Sequence, residues 1–270
     1  MNDYIQVTWY SSWLIKLSIA LHLLLLISVL IFPNLWPWAL ALLIMDHLLV
    51  AGVGLWPRSH WLGSNWTQLP MRAIQRNEVA LTIDDGPHPI VTPQVLDILD
   101  QFQVKATFFC IGNKAAQQSD LCREIVKRGH AVGNHSQHHK LYFSLLGMRA
   151  ISREIDAAQK TLFSITGVLP QFFRAPAGLR NFLLEPALRR LDLQLATWSV
   201  RAFDTKVKDA EKVKNKLSSG LRPGAILLLH DGNAARTNLG VPIILAVLPA
   251  LLDAAKKQNL HFVTLPEAAL

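Results

Sequence analysis

Apolar residues in the first fifth of the chain form two long stretches. Residues 13–32 are apolar except for four positions, and residues 35–56 are apolar except for two. Each stretch, as a helix rising about 1.5 Å per residue, spans the roughly 30 Å hydrocarbon core of a bilayer. The helix breakers Pro33 and Pro37 predict a tight turn between them. The pattern therefore predicts a transmembrane helical hairpin.

A cleaved signal peptide followed by a core helix is the alternative for this segment. The hairpin is favoured because the apolar run is too long for a signal peptide and no small-residue cleavage site follows it. Seven of the eight tryptophans precede residue 67 and cluster near the ends of the stretches, as in an interfacial belt. We therefore predict a membrane segment at residues 1–57 and a connector at residues 58–77.

His22, Asp46 and His47 lie at about the same depth if the chain turns near Leu35. An unpaired charge at the bilayer centre costs about 2.5–3.5 kcal/mol on insertion scales. We therefore expect His22 to contact Asp46 and His47 across the two helices. The alternative is a re-entrant or interfacial second stretch that keeps Asp46 in water.

Basic residues mark the open end of the hairpin. Lys16, Arg58, Arg72 and Arg76 flank this end, whereas the turn carries no basic residue. Because basic residues concentrate on the cytoplasmic side of membrane proteins, the pattern favours a protein integral to the bacterial inner membrane with its large domain in the cytoplasm. The periplasmic face is the alternative.

Beyond Glu78, short apolar runs alternate with segments of helical spacing. Runs typical of buried strands fall at residues 79–83, 106–111, 131–133, 172–173, 195–200, 225–230 and 262–263. Helical spacing falls at residues 92–102, 115–128, 145–166, 185–191, 209–218 and 241–257. This alternation predicts an α/β fold of parallel strands with crossover helices, a deformed (β/α) barrel of about seven strands over residues 78–270.

Composition and charge narrow the class of protein. With 51% hydrophobic and 17% charged residues, the chain is neither disordered nor a small disulfide-stapled domain. Lysine and arginine exceed the acids by 27 to 19, and the whole excess follows residue 70. Such a domain is attracted to anionic membrane lipids, phosphates or acidic glycans. No nucleic-acid partner is expected, and Cys110 and Cys122 do not have the spacing of a zinc knuckle.

Polar residues stand at the ends of five predicted strands. They are Asp84 and Asp85; His135, His138 and His139; Arg174; Asp204; and His230 and Asp231. Any one of them alone is usually structural, such as a turn residue or a hydrogen-bonded histidine. In parallel barrels, however, chemistry collects at the carboxyl ends of the strands. Their joint placement therefore predicts an active site at this edge.

The histidine spacing is typical of a divalent metal site. His135 and His139 are four residues apart, so one helical turn or a tight loop directs both imidazoles to one point. Asp84 or Asp85 completes a set of two histidines and one carboxylate, and the other carboxylate is free to accept a proton from water. His138 is the alternative to His139. The ligand types favour zinc, with cobalt, nickel or manganese as alternatives.

Five strings resemble, in order, the motifs of the polysaccharide deacetylases with a NodB homology domain, carbohydrate esterase family 4. They are LTIDDGP at residues 81–87, HSQHH at 135–139, RAPAG at 174–178, residues 198–204, and LLHD at 228–231. The resemblance covers residues 78 to about 265, so the hairpin lies outside it. It implies metal-dependent hydrolysis of an N-acyl group, acetyl or formyl, on an amino sugar.

The resemblance also implies a role for each matching residue. The implied metal ligands are Asp85, His135 and His139. Asp84 is the implied general base and is held in place by Arg174. His230 is the implied general acid for the leaving amine and is oriented by Asp204.

Two positions depart from the family pattern on the substrate side, where Ala177, Trp198 and Leu228 are expected. Ala177 stands where many members have tyrosine. Its backbone N–H can still face the oxyanion, but the ring that would stack on a sugar is missing. Thr205 stands where the fourth motif usually has tryptophan. The chemistry is expected to persist, whereas part of the wall of a polymer cleft is missing.

Two further patterns have a structural and a functional interpretation. The apolar residues after the metal motif either pack in the core or contact a lipid; they are Phe143, Leu145, Leu146 and Met148. A helix over residues 206–216 carries five lysines against Asp209 and Glu211. It is either a solvated face or a surface for anionic membrane or a substrate phosphate.

These observations favour an amino-sugar N-deacylase, acting on a lipid-linked or membrane-proximal glycan. An exported peptidoglycan or polysaccharide N-deacetylase, or an O-acetyl esterase, is the alternative within the same family. A non-catalytic sugar-binding membrane protein is the alternative from another class.

Overall fold

The computed structural model describes residues 12–270 and begins with a pair of apolar helices, α1 (Trp13–Ile31) and α2 (Trp36–Gly54). A single turn of 3₁₀ helix, Pro33–Leu35, joins them, as the two prolines predict. Both helical segments are long and apolar enough to cross a membrane. Residues 1–11 of the predicted membrane segment lie outside the described residues.

The polar residues of the two apolar helices meet as expected. The Ser18 hydroxyl donates to Asp46 Oδ2 at 2.6 Å, and His22 Nδ1 lies 3.9 Å from the same oxygen. The rings of His22 and His47 are 5.2 Å apart between centroids. The two helices therefore pair their polar side chains with each other.

Eight parallel strands build the rest of the chain around one sheet. They are β1 (Glu78–Gly86), β2 (Thr107–Cys110), β3 (Ala131–Asn134), β4 (Phe172–Phe173), β5 (Gln194–Leu195), β6 (Val200–Arg201), β7 (Ile226–His230) and β8 (His261–Phe262). Their order is β5-β4-β3-β2-β1-β7-β6, with β8 beside β1. The predicted deformed barrel is confirmed, as an open barrel with its gap between β5 and β6.

Helices pack against both faces of the sheet, most of them on the outer face. They are α3 (Met71–Gln75), α4 (Val91–Gln101), α5 (Gly112–Gln117), α6 (Ser119–Lys127), α7 (Met148–Thr166), α8 (Leu184–Arg190), α9 (Ala210–Ser218), α10 (Ile243–Lys257) and α11 (Leu265–Ala268). Alternate residues of β1, namely Val79, Leu81 and Ile83, pack into the main core beneath the helices. Because side chains alternate along a strand, Thr82 and Asp84 face the barrel interior.

The predicted strand over residues 195–200 is wrong, because Leu195 ends β5 and Val200 begins β6, at opposite edges of the sheet. The chain between them crosses the gap of the barrel. There, Trp66 N donates to Leu195 O at 2.8 Å and Thr197 N donates to Trp66 O at 2.9 Å. The connector thus packs into the gap, where Leu69 N also donates to Gly224 O at 2.9 Å.

Two predicted helices differ in extent. The segment 115–128 is two helices, α5 and α6, because the backbone at Gln118 leaves helical geometry. The lysine-rich helix begins at Ala210 rather than at residue 206, because the Asp209 side chain caps it by accepting from Lys212 N. Lys206 and Lys208 therefore lie in the exposed loop before α9.

Candidate active site

A bulge at the end of β1 separates the two neighbouring aspartates. The pairing of β1 with β2 shifts register between Asp84 and Gly86, and Asp85 has a positive φ of 71°. A bulge re-aims the side chain it carries, so the two carboxylates point in different directions. A side chain at Gly86 would collide with the Asp231 carboxylate, which explains the glycine after the pair.

Asp85, His135 and His139 come together at the carboxyl edge of the sheet. Asp85 Oδ1 lies 3.3 Å from His135 Nε2 and 3.2 Å from His139 Nε2. The two histidines are on a tight loop, which closes because His139 N donates to the Ser136 hydroxyl at 3.0 Å. The ligand atoms of these three residues all lie within 4.8 Å of one another.

The surroundings of this cluster fit a divalent metal. His135 Nδ1 donates to Arg174 O at 2.8 Å, which leaves the lone pair of Nε2 directed toward Asp85. Asp85 Oδ1 is buried without a hydrogen-bond donor. Burial and neighbouring His135 lower the pKa of His139 to about 4, so this imidazole is neutral at pH 7. A buried carboxylate between two imidazoles matches a set of metal ligands.

His138 lies outside the cluster and contacts Glu154 instead. Its Nδ1 is 2.9 Å from Glu154 Oε1, and its backbone N–H donates to Glu154 Oε2 at 3.0 Å. Half of the His138 side chain is exposed. The structure therefore disfavours His138 as the alternative to His139.

Arg174 forms a buried ion pair with Asp84 inside the barrel. Its Nη1 donates to Asp84 Oδ1 at 2.7 Å and to the Thr82 hydroxyl at 2.8 Å. Its other N–H groups donate to backbone carbonyl oxygens: Nε donates to Ala196 O at 3.1 Å, and Nη2 donates to Thr197 O at 2.6 Å. Arg174 is fully buried, so this network fixes the orientation of the Asp84 carboxylate.

His230 and Asp204 form a second buried pair beside the aspartates. His230 Nδ1 lies 2.9 Å from Asp204 Oδ1, and the backbone N–H of His230 donates to Asp204 Oδ2 at 2.8 Å. Burial alone lowers the pKa of His230, but the charge and hydrogen bond of Asp204, together with the charges of Asp84 and Asp85, raise it overall. In the sheet, His230 pairs with Asp84, so acid and base candidates are neighbours.

The three residues expected on the substrate side differ in accessibility. Ala177 is exposed and has a positive φ of 56°, whereas Trp198 and Leu228 are buried. The Trp198 ring lies 5.0 Å from the Arg201 guanidinium. Of the three, only Ala177 is accessible to a ligand from outside, whereas Trp198 and Leu228 are buried.

The apolar residues after the metal motif divide between the two interpretations. Phe143 is buried against Phe173, and Leu146 and Met148 are partly buried on the same core cluster. Leu145 is 83% exposed. Core packing thus explains Phe143, whereas Leu145 presents an apolar surface to the outside.

Three residues without a predicted role also support the site. Lys114 Nζ donates to Asp85 O at 2.8 Å, and Glu154 holds the histidine loop through His138. Asp231 is buried and accepts from the Thr92 hydroxyl, and burial raises its pKa to about 7. Asp231 belongs to the LLHD motif, so the sequence could have identified it. Lys114 and Glu154 belong to none of the five motifs.

Comparison with known proteins finds a family model, curated relatives and solved structures that match this chain. A family model described as polysaccharide deacetylase matches residues 72–196. A peptidoglycan-N-acetylglucosamine deacetylase of Bacillus cereus is 34% identical over 198 residues, which are 72% of this chain and 90% of the relative. The PgdA enzyme of Listeria monocytogenes is 34% identical over 196 residues, 73% of this chain. The chain spans only 40% of the length of PgdA.

A solved structure shares the same architecture. The Bc1960 peptidoglycan N-acetylglucosamine deacetylase superposes with a TM-score of 0.68 at 28% identity, over 76% of this chain and 92% of that one. Likeness over nearly the whole of that protein shows that the barrel here is a full domain of the same fold.

Proposed function

This chain belongs to the polysaccharide deacetylase family, and on that premise we propose that it is a metal-dependent hydrolase removing an N-acyl group, acetyl or formyl, from an amino sugar. The observation that carries the proposal is the buried Asp85 oxygen between two imidazoles, with no donor of its own. A candidate base, Asp84, and a candidate acid, His230, lie on adjacent strands beside it.

Asp85, His135 and His139 would hold the metal, for which zinc is proposed and cobalt, nickel or manganese also fit the ligand types. A cation held there would supply charge that lowers the pKa of water and polarises the acyl oxygen. Asp84, fixed by Arg174, accepts the proton of the attacking water. The exposed backbone N–H of Ala177 donates to the oxygen that becomes negative.

His230 completes the reaction by donating its proton to the departing amine nitrogen. Asp204 keeps His230 protonated and aimed, through the bonds to Nδ1 and the backbone N–H. Nε2 is thus the nitrogen that faces the substrate. The products are the free amino sugar and acetate or formate.

A lipid-linked or membrane-proximal glycan is the substrate class that we propose. The apolar helices, the basic barrel domain and the missing aromatic residues at Ala177 and Thr205 all support it. The second candidate is an N-deacetylase of peptidoglycan or another exported polysaccharide, or an O-acetyl esterase, because the named relatives act on peptidoglycan. We also propose the division into a membrane segment (1–57), a packed connector (58–77) and a catalytic domain (78–270).

Purified full-length protein is expected to release acetate or formate from N-acylated amino sugars presented as lipid-linked, oligomeric and peptidoglycan forms. Chelation should abolish release, and added zinc should restore it, because water is a poor nucleophile at neutral pH without the cation. Enzymatic quantification of both acids gives the readout. If the metal-loaded protein releases neither acid from any substrate, the non-catalytic sugar-binding interpretation replaces this proposal.

We further propose that the chain is integral to the bacterial inner membrane, with the barrel on the cytoplasmic face. The basic residues at the open end of the helix pair support this orientation. A green fluorescent protein fused to the carboxyl terminus should fluoresce, and alkaline phosphatase at the same position should be inactive. An active phosphatase fusion would place the barrel in the periplasm and favour the second candidate.

A further inference from the structure

A cavity of about 1010 Å³ lies between the apolar helices and the barrel domain. One wall comes from α1 and α2 and includes Ile15, Ile19 and Val50; the other comes from the barrel loops. The barrel wall carries three arginines, Arg180, Arg189 and Arg190. This volume lies at the upper end of the range for sites that bind small molecules.

Arg180 is a buried cation that forms no ion pair among residues 12–270, although Glu185 lies near enough to act on its charge. It is only 4% exposed, and within the described chain no carboxylate lies within 4.0 Å of it. Its Nη2 donates to Ser59 O, but its Nε is buried without an acceptor. Arg180 lines the cavity, forms no ion pair and has one N–H group without an acceptor. Arginine binds phosphate oxygens through paired N–H groups, so phosphate suits this position.

The charge of the barrel wall favours an anion. Of the other two arginines, Arg189 is paired with Glu185 at 2.8 Å, whereas Arg190 is exposed and has no ion pair among residues 12–270. The helix wall contributes one carboxylate, Asp46, which already accepts from Ser18. The cavity therefore has an excess of positive charge at the end nearest the barrel.

The helix wall has the length of half a bilayer. Its α1 residues extend from Ile15 to Leu23, which at about 1.5 Å per residue is about 12 Å. The hydrocarbon core is roughly 30 Å thick, so the cavity would run from the barrel surface toward the bilayer centre. Leu145, the exposed leucine after the metal motif, also lines it.

We propose that this cavity binds a membrane lipid, with its phosphate on Arg180 and its hydrocarbon chain along the apolar wall of α1 and α2. A phosphate alone would interact only with the arginine-bearing wall, and a hydrocarbon chain alone only with the apolar wall. The bound lipid stabilises the contact between the helix pair and the barrel.

The cavity also shares its loops with the candidate active site. Arg180 is three residues after Ala177, and Ser144 is five residues after His139, so extended chain limits these separations to about 11 and 18 Å. A lipid phosphate that carries an amino sugar would thus hold the sugar near the metal cluster. This last step rests on the proposed function; lipid binding itself does not.

Dioctanoyl phosphatidylglycerol, titrated into the full-length protein in a neutral detergent and followed by native mass spectrometry, tests the assignment without any deacylation substrate. We expect binding at least tenfold tighter than that of dioctanoylglycerol, which lacks the phosphate, or of inorganic phosphate, which lacks the chains. Equal affinity for dioctanoylglycerol would refute the role of Arg180. Equal affinity for inorganic phosphate would make the site one for free anions and overturn the lipid assignment.

Two variants with matched controls locate the bound lipid. Arg180→Gln should weaken phosphatidylglycerol binding at least tenfold, whereas Arg153→Gln, at an exposed arginine outside the cavity, should not. Ile19→Trp fills the cavity from α1 and should weaken binding similarly, whereas Leu17→Trp on the same helix should not. Circular dichroism checks folding. If Arg180→Gln is misfolded, Ile19→Trp alone decides, and unchanged binding in the folded variant overturns the proposal.

Discussion

Replacing Asp84 with asparagine is expected to lower kcat by about 10²–10⁴-fold while leaving the metal content unchanged. The amide cannot accept a proton from water, but its oxygen can still accept the hydrogen bond from Arg174 Nη1. Asp85, His135 and His139 are untouched, so the metal stoichiometry should stay at the wild-type value. Steady-state deacylation and elemental mass spectrometry of the purified variant measure the two quantities.

Asp156→Asn is the matched control for this variant. Asp156 is a partly exposed aspartate on α7, paired with Lys160 and absent from the metal cluster. Its replacement should leave kcat within about twofold of wild type, since surface changes have small effects. If Asp84→Asn retained full activity, Asp84 would not be the base. If it lost metal and activity together, Asp84 would be a ligand.

Replacing His230 with glutamine is expected to lower kcat by about 10²–10⁴-fold on substrates with an amine leaving group. Glutamine donates no proton to the nitrogen at neutral pH, so expulsion of the amine becomes the slow step. An activated ester of the same acyl group has a weakly basic leaving group that departs without protonation. Activity toward the ester should therefore fall much less, which separates the role of an acid from damage to the site.

The pH profile tests the pairing of His230 with Asp204. The acid must be protonated, so kcat/KM falls as pH rises through the pKa of His230. Asp204 raises that pKa, and Asp204→Asn should therefore move the alkaline limb to lower pH. His261→Gln, at an exposed histidine on β8, should leave the profile unchanged. An unmoved limb in Asp204→Asn would show that His230 is not the group that titrates.

The location of the site could be predicted from sequence because each candidate residue stands at the end of an apolar run. Asp84 and His230 lie at the carboxyl ends of β1 and β7, and His135 directly follows β3. Parallel strands bring these ends to one edge of the sheet. The different directions of the Asp84 and Asp85 carboxylates depend on the bulge, which spacing alone does not show. The resemblance named Asp85 as the ligand, and the structure turns that side chain to the two imidazoles.

The closure of the barrel could not be predicted from local patterns. Residues 195–200 form an apolar run like any buried strand, yet they cross from one sheet edge to the other. What divides them is a pairing with Trp66, about 130 residues earlier in the chain. The polar connector gives no sign of this pairing, because its contacts run through backbone atoms that every residue carries.

Backbone and apolar contacts also join the end of α2 to the barrel domain. Gly54, the last residue of α2, accepts a hydrogen bond from Arg180 N at 3.1 Å, and Leu62 packs beneath Val53. The barrel domain therefore packs directly against the end of α2 and is not connected to it only through a flexible linker. With α2 in a membrane, as we propose, the candidate active site would lie at one fixed distance from the bilayer, and glycans held much farther out would be beyond its reach.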